Sequence, residues 1–146
     1  MVSARVLNIL KRAGLTLEQA AGMPQAELRK LSGLGWKGLN ELSEYFAEVA
    51  EKVVVTRHPG LIEHLRKEGL VHGDIRVIEH ASIEDVRGKH VFGVLPLWLA
   101  AEAMSVTEVT LNLPPEARGR ELTLAEVQRY MTGCTTYVVR RSTLPR

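Results

Sequence analysis

The chain has 146 residues, 45% of them hydrophobic and 25% charged, with a net charge of only +2. That is room for one domain or two small ones of ordinary globular composition. It excludes a globally basic body that would attract polyanions, a disulfide scaffold (Cys134 is the single cysteine) and, with no apolar run of about 18–20 residues, a spanning helix.

The first fifty residues read as helix. Val6, Ile9, Leu10 and Ala13 form an apolar stripe after Ser3, a candidate N-cap, and Gly14 ends that helix. Thr16 and Gln19 form a capping-box pair for a short second helix through Ala21. Pro24 suits the first turn of a third, with Leu28 and Leu31 facing inward. A fourth runs from Trp36 to Val49 with Leu39, Leu42, Phe46 and Val49 on one side.

The character changes at Glu51. Lys52 to Thr56 is β-branched and continuous, as a buried parallel strand should be. Arg57-His58-Pro59-Gly60 breaks it, and an amphipathic helix spans Leu61 to Gly69. Strands follow at 75–80, 90–94 and 106–113. Between them lie a short helical turn, Ser82 to Val86, and a helix from Leu95 to Met104 that tolerates Pro96 in its first turn. A last helix covers Leu122 to Met131, with Thr123 as N-cap and Glu126 three residues on, before a fifth strand at 135–139. Alternating strand and helix predicts a small, mainly parallel, Rossmann-like α/β sheet with flanking helices, preceded by an all-α module. The expected division is residues 1–50 and 51–146.

Such sheets bind ligands beyond the carboxyl ends of their strands. The loops there are Thr56–Gly60, His80–Ser82, Gly93–Pro96 and Asn112–Gly119, and they are expected to converge. Thr56, Arg57 and His58 supply a hydroxyl, a guanidinium and an imidazole before a helix start, which can hold an anion with help from helix N–H groups. Gly93 before Leu95 and Pro96 lets a ligand approach the backbone, or serves the packing of a tight turn. Arg118 and Arg120 beyond Asn112 meet phosphates or lie solvated. Cys134 is expected as a packed small hydrophobe. After Glu126 no acidic residue occurs, while Arg129, Arg140, Arg141 and Arg146 follow, a basic end that is either a solvated tail or a binding segment. No Cys/His cluster points to a metal, and no cofactor motif is present. With no signal-peptide pattern in MVSARVLNILKR, a cytoplasmic location is expected.

In the first module, Leu31-Ser32-Gly33-Leu34-Gly35-Trp36-Lys37-Gly38 is a tight turn into a helix start. Gly33, Gly35 and Lys37 are candidate phosphate contacts. The segment LKRAGLTLEQAAGMPQAELRKLSGLGWKGLNEL resembles the helix-hairpin-helix domain at the C-terminus of bacterial RNA polymerase α subunits. That resemblance implies contacts to nucleic acid backbone or to proteins. With six basic and five acidic residues through Ala50, packing or dimerisation is the competing role.

In the second module, the order T-R-H-P-G, G-V-L-P and L-P-P-E-x-R-G-x-E-L from Val53 to about Val127 resembles a small CRISPR-associated family of type III systems. The resemblance implies a ring nuclease that degrades cyclic oligoadenylate, with cyclic tetra-adenylate as substrate, to switch off antiviral signalling. The family usually lacks the helical front module. The residues suit metal-independent chemistry. Each ribose carries its own 2′-hydroxyl nucleophile, so the site need only align it, neutralise the phosphate and manage protons. Arg57 is assigned the phosphate and His58 the acid or base role, with Thr56, Gly60, His80, Ser82, Gly93, Leu95, Pro96, Asn112, Arg118 and Arg120 as the binding rim. The products would carry 2′,3′-cyclic phosphate ends. A two-fold homodimer with the ring across its axis is expected, joined through the apolar Leu95–Met104 helix with Trp98 and Leu99. Two other functions stay open: a non-cleaving sensor or sponge for the messenger, and an adaptor for nucleic acid or protein acting through residues 1–50.

Overall fold

The structure, a computed structural model, describes residues 1–142 of the 146; Arg146 of the basic end lies outside them. The chain divides into two units, one built from Met1–Ala50 with the stretch that begins at Arg140, the other from Glu51–Val139. The second unit therefore stops at Val139 instead of running to Arg146.

In the first unit Ser3 caps α1 (Ala4–Arg12) by accepting from the Val6 amide. Thr16 and Gln19 close a reciprocal capping box on α2 (Leu17–Ala21). Pro24 precedes α3 (Gln25–Leu28), and α4 (Gly35–Val49) follows a turn in which Gly33 and Gly35 have φ of 84° and 62°. The Arg5 guanidinium donates to the Gly33 carbonyl at 2.8 Å, tying the turn to α1. Leu39, Leu42 and Phe46 are buried, whereas Val49 on the same helix is exposed, one turn beyond the last core contact.

In the second unit the run Val53-Val54-Val55 is apolar throughout because its strand is covered on both faces. Val54 joins Leu61, Leu65, Phe92 and Val127 on one side; Val53 and Val55 join Val86, Val91, Leu99 and Val106 on the other. The strand is β1 (Lys52–Val55), followed by α5 (Pro59–Lys67), β2 (Arg76–Ile78), α6 (Ile83–Val86) and β3 (His90–Gly93). Then come α7 (Leu97–Ala100), β4 (Ser105–Leu111), α8 (Leu124–Tyr130) and β5 (Met131–Tyr137). The sheet order is β2-β1-β3-β4-β5, parallel except for β5, which runs antiparallel to β4. Helices α5 and α8 cover one face, α6 and α7 the other. This is a Rossmann-like, mainly parallel α/β sheet.

Two expected features differ. The helix expected over Leu95–Met104 is only the four residues of α7; Leu99 and Ala100 enter the core, while Leu97 and Trp98 stay exposed. The final strand starts at Met131 and not at 135, because α8 ends directly into it, and its edge position leaves most of its side chains, Cys134 included, exposed.

Both core clusters of the second unit draw only on residues between Val53 and Val139. A fragment of residues 51–139 is therefore expected to fold alone, giving one cooperative thermal transition with the far-ultraviolet dichroism of a mixed α/β protein. An insoluble or non-cooperative fragment would show that the first unit is needed.

At the amino end of the sheet a polar ladder, buried at His90, Ser105 and Thr107, crosses three strands to the exposed Thr136. The His90 ring (7% exposed) pairs Nδ1 with Ser105 Oγ and Nε2 with Thr107 Oγ1 at 2.9 Å, and Thr107 Oγ1 meets Thr136 Oγ1 at 2.7 Å. Burial, then the Lys52 charge, push the His90 pKa below its ordinary 6.5. A histidine held neutral by the fold binds fewer protons than its unfolded counterpart below that pH, so stability drains away as pH falls from about 6.5. Thermal melts should be flat from pH 8 to 7 and decline toward pH 5; a melting temperature that rose on acidification would contradict this.

Candidate active site

The register places the strand ends. Val55 is level with Ile78 on one side and Gly93 on the other, so the loops after β1, β2 and β3 leave the sheet side by side. Phe92 is level with Thr107, and β4 continues to Leu111, three residues past the level of Gly93. At about 3.3 Å per residue, the Asn112 loop begins roughly 10 Å further out. The four loops share one end of the sheet, but they do not form one level ring.

The Thr56–Gly60 loop is the best organised. The Thr56 amide donates to the Ile78 carbonyl at 2.9 Å, and Thr56 Oγ1 accepts from the His58 amide at 3.1 Å. Across the site, the Leu122 amide donates to His58 Nδ1 at 3.2 Å, and the Gly60 amide donates to the Leu122 carbonyl at 3.1 Å. Gly60 is required by this clamp, since a Cβ there would lie 2.3 Å from the Thr123 backbone carbon. The Leu61 amide is taken by the His58 carbonyl. The start of α5 is thus closed by the chain itself, and the expected supply of free helix N–H groups for an anion is not there at Gly60 or Leu61. Arg57 is exposed and forms no hydrogen bond or ion pair with a described residue. Burial, then the Arg57 charge, lower the His58 pKa from 6.5, with Glu121 pulling weakly the other way.

The remaining rim residues divide into those with structural work and those without. Ser82 donates through its amide and hydroxyl to Asp85 Oδ2 at 2.8 and 3.0 Å, starting α6. Arg118 Nε donates to the Leu113 carbonyl at 3.1 Å inside its own loop. Arg120 engages both carboxylate oxygens of Glu126; that guanidinium, then the Thr123 amide, hold the Glu126 carboxyl down to about 2. Gly93 has φ +144, and a Cβ there would stand 2.1 Å from the Val55 carbonyl oxygen, so packing of β3 against β1 accounts for this glycine. His80, Leu95, Pro96 and Asn112 make no side-chain hydrogen bond to a described residue. Val94, Leu97 and Trp98 form an exposed apolar stretch after β3.

Glu121 is the second glutamate of the L-P-P-E-x-R-G-x-E-L motif. The structure brings it beside His58, where with Pro59, Glu63 and Ala125 it lines a groove of about 580 Å³. Among the described residues no cluster of three or more His, Cys, Asp or Glu side chains comes together, and no helix is long and apolar enough to cross a membrane.

Residues 53–140 match the family model described as "Putative CRISPR-associated protein (Cas_VVA1548)". The chain belongs to this CRISPR-associated family. The match begins at the first core residue of β1 and ends one residue after Val139, so it spans nearly all of the second unit and none of Met1–Ala50. Every residue of the Arg57–His58 loop and of the Leu122 clamp falls inside it. No curated protein and no solved structure matches the chain.

Proposed function

We propose that the second unit of this CRISPR-associated protein binds and opens cyclic oligoadenylate, cyclic tetra-adenylate in particular, as a ring nuclease of type III signalling. The observation that carries the reading is a guanidinium with no partner among the described residues, Arg57, beside a half-buried imidazole, His58, at the carboxyl end of β1 and inside the family match. Arg57 neutralises the phosphodiester. A ribose 2′-oxygen attacks phosphorus, the bond to the 5′-oxygen breaks, and the ends become a 2′,3′-cyclic phosphate and a 5′-hydroxyl. A two-fold pair of chains presents these groups twice to a ring of matching symmetry. The exposed Val94, Leu97 and Trp98 lie at the same end of the sheet. Incubating the protein with labelled cyclic tetra-adenylate, with and without EDTA, decides between cleavage and mere capture. Sedimentation with the ring present is expected to show one ring per two chains; monomers binding one ring each would remove the dimer.

A second reading concerns the first unit. There the exposed Trp36 indole has the Arg29 guanidinium 4.5 Å and the Arg140 guanidinium 4.8 Å from its centre, with Lys37 exposed beside it. Cations around an aromatic face suit a nucleic acid strand, in keeping with the resemblance to the helix-hairpin-helix domain. A salt-dependent gel shift that Trp36→Ala weakens would support an adaptor role; no shift at low salt would dismiss it.

A further inference from the structure

We infer that His58 acts as a neutral hydrogen-bond donor, its one proton fixed on Nε2 by the Leu122 backbone, so that the Arg57 and His58 side chains form a donor-only cradle for a phosphodiester and take no proton from the 2′-hydroxyl. This rests on the proposed reading of the site and replaces the acid or base role expected for His58.

The geometry leaves one tautomer. A backbone N–H can only donate, so the Nδ1 that meets the Leu122 amide at 3.2 Å must offer its lone pair. A neutral imidazole has a single N–H, which is then on Nε2. Protonating the ring would turn N–H against N–H and strand the amide of Leu122, a residue only 2% exposed. The clamp cannot slide to avoid this. The Gly60–Leu122 hydrogen bond, 3.1 Å long, holds the same residue from its carbonyl side, and Gly60 already touches the Thr123 backbone.

The surroundings press the same way. From its own loop the ring meets the Arg57 charge, which disfavours an imidazolium, as burial does. From the segment before α8 it meets Glu121, and on α5 Glu63 lines the adjoining groove. Glu121 alone favours the charged ring, and it is the smallest of the three influences. What the Arg57 and His58 side chains present to a ligand is therefore N–H groups alone, a guanidinium fork and Nε2–H. Phosphodiester oxygens accept from both. In the ring opening the 2′-hydroxyl proton passes to hydroxide or water, and the 5′-oxygen takes its proton from water.

Nitrogen-15 histidine spectra of the full-length protein, with His58 assigned from a His58→Gln variant, test the tautomer without any ligand. The expected result is unprotonated Nδ1 and protonated Nε2 at pH 7, persisting below pH 6.5. An imidazolium at pH 7, or the opposite tautomer, overturns the inference. With cyclic tetra-adenylate as probe, His58→Gln, which keeps an N–H donor but cannot titrate, should bind at least tenfold more tightly than His58→Phe. Equal losses in both variants, with a histidine-range limb in the wild-type pH profile of turnover that His58→Gln abolishes, would make His58 a proton carrier and overturn the inference. Failure of the wild-type protein to bind the probe at all would sink the functional reading and the cradle with it, while the spectra still decide the tautomer.

Discussion

Gly93→Ala is expected to lower the melting temperature of the second unit by about 12–24 °C, or to leave no folded protein at physiological temperature. Gly93 ends β3 with φ +144, a conformation that a residue with a side chain rarely adopts. Holding alanine there costs about 1–3 kcal/mol of backbone strain. Its Cβ would also stand 2.1 Å from the Val55 carbonyl oxygen and 3.1 Å from the carbonyl carbon. Those are backbone atoms of the paired strand β1, in register with Gly93 itself. They cannot swing aside as a side chain would, and overpacking of this kind costs about 1–3 kcal/mol more. A loss of about 3 kcal/mol in a domain of under a hundred residues gives the shift stated. Differential scanning calorimetry of the variant checks it; a change under about 4 °C would show that β3 can move away from β1 at little cost.

Arg57→Ala is expected to weaken binding and turnover of cyclic tetra-adenylate at least tenfold while leaving the melting temperature within a degree or two. The side chain is exposed and forms no hydrogen bond or ion pair with a described residue, so the fold loses little when it goes. A charge-assisted hydrogen bond is worth about 1.5–3 kcal/mol, and 1.4 kcal/mol is a factor of ten in affinity. Arg120→Ala is the control with the opposite expectation. Its guanidinium holds Glu126 at the start of α8, so stability should fall, and its charge is already met by that carboxylate. If Arg57→Ala binds the messenger as well as the wild type does, the phosphate is held elsewhere and the proposed site is wrong.

Arg57 and Arg120 look alike in the sequence, each an arginine near a strand's carboxyl end. They part only when the fold shows which one is already paired. The same holds for Ser82 and Gly93. Both were expected at a ligand rim. Ser82 instead starts a helix through Asp85, and Gly93 answers a neighbouring backbone, although the tight-turn alternative for Gly93 was visible beforehand. The anion-binding helix start expected after Pro59 is closed by Leu122, sixty-odd positions downstream, which no local pattern signals.

What the sequence by itself determined is local or periodic. Apolar runs of β-branched residues gave buried strands, capping pairs at Thr16 with Gln19 and Thr123 with Glu126 gave helix starts, and the change of period at Glu51 marked two units. Those signals arise from neighbours in the chain, so they survive without knowledge of the fold. The tertiary structure alone decided where α7 stops, because Leu99 and Ala100 enter the core and Trp98 does not. It decided that β4 outruns β3, and that His58 is clamped through Nδ1. Each of these depends on a partner far away in sequence, and a hydrogen bond or a collision is set by geometry in space, not by separation along the chain.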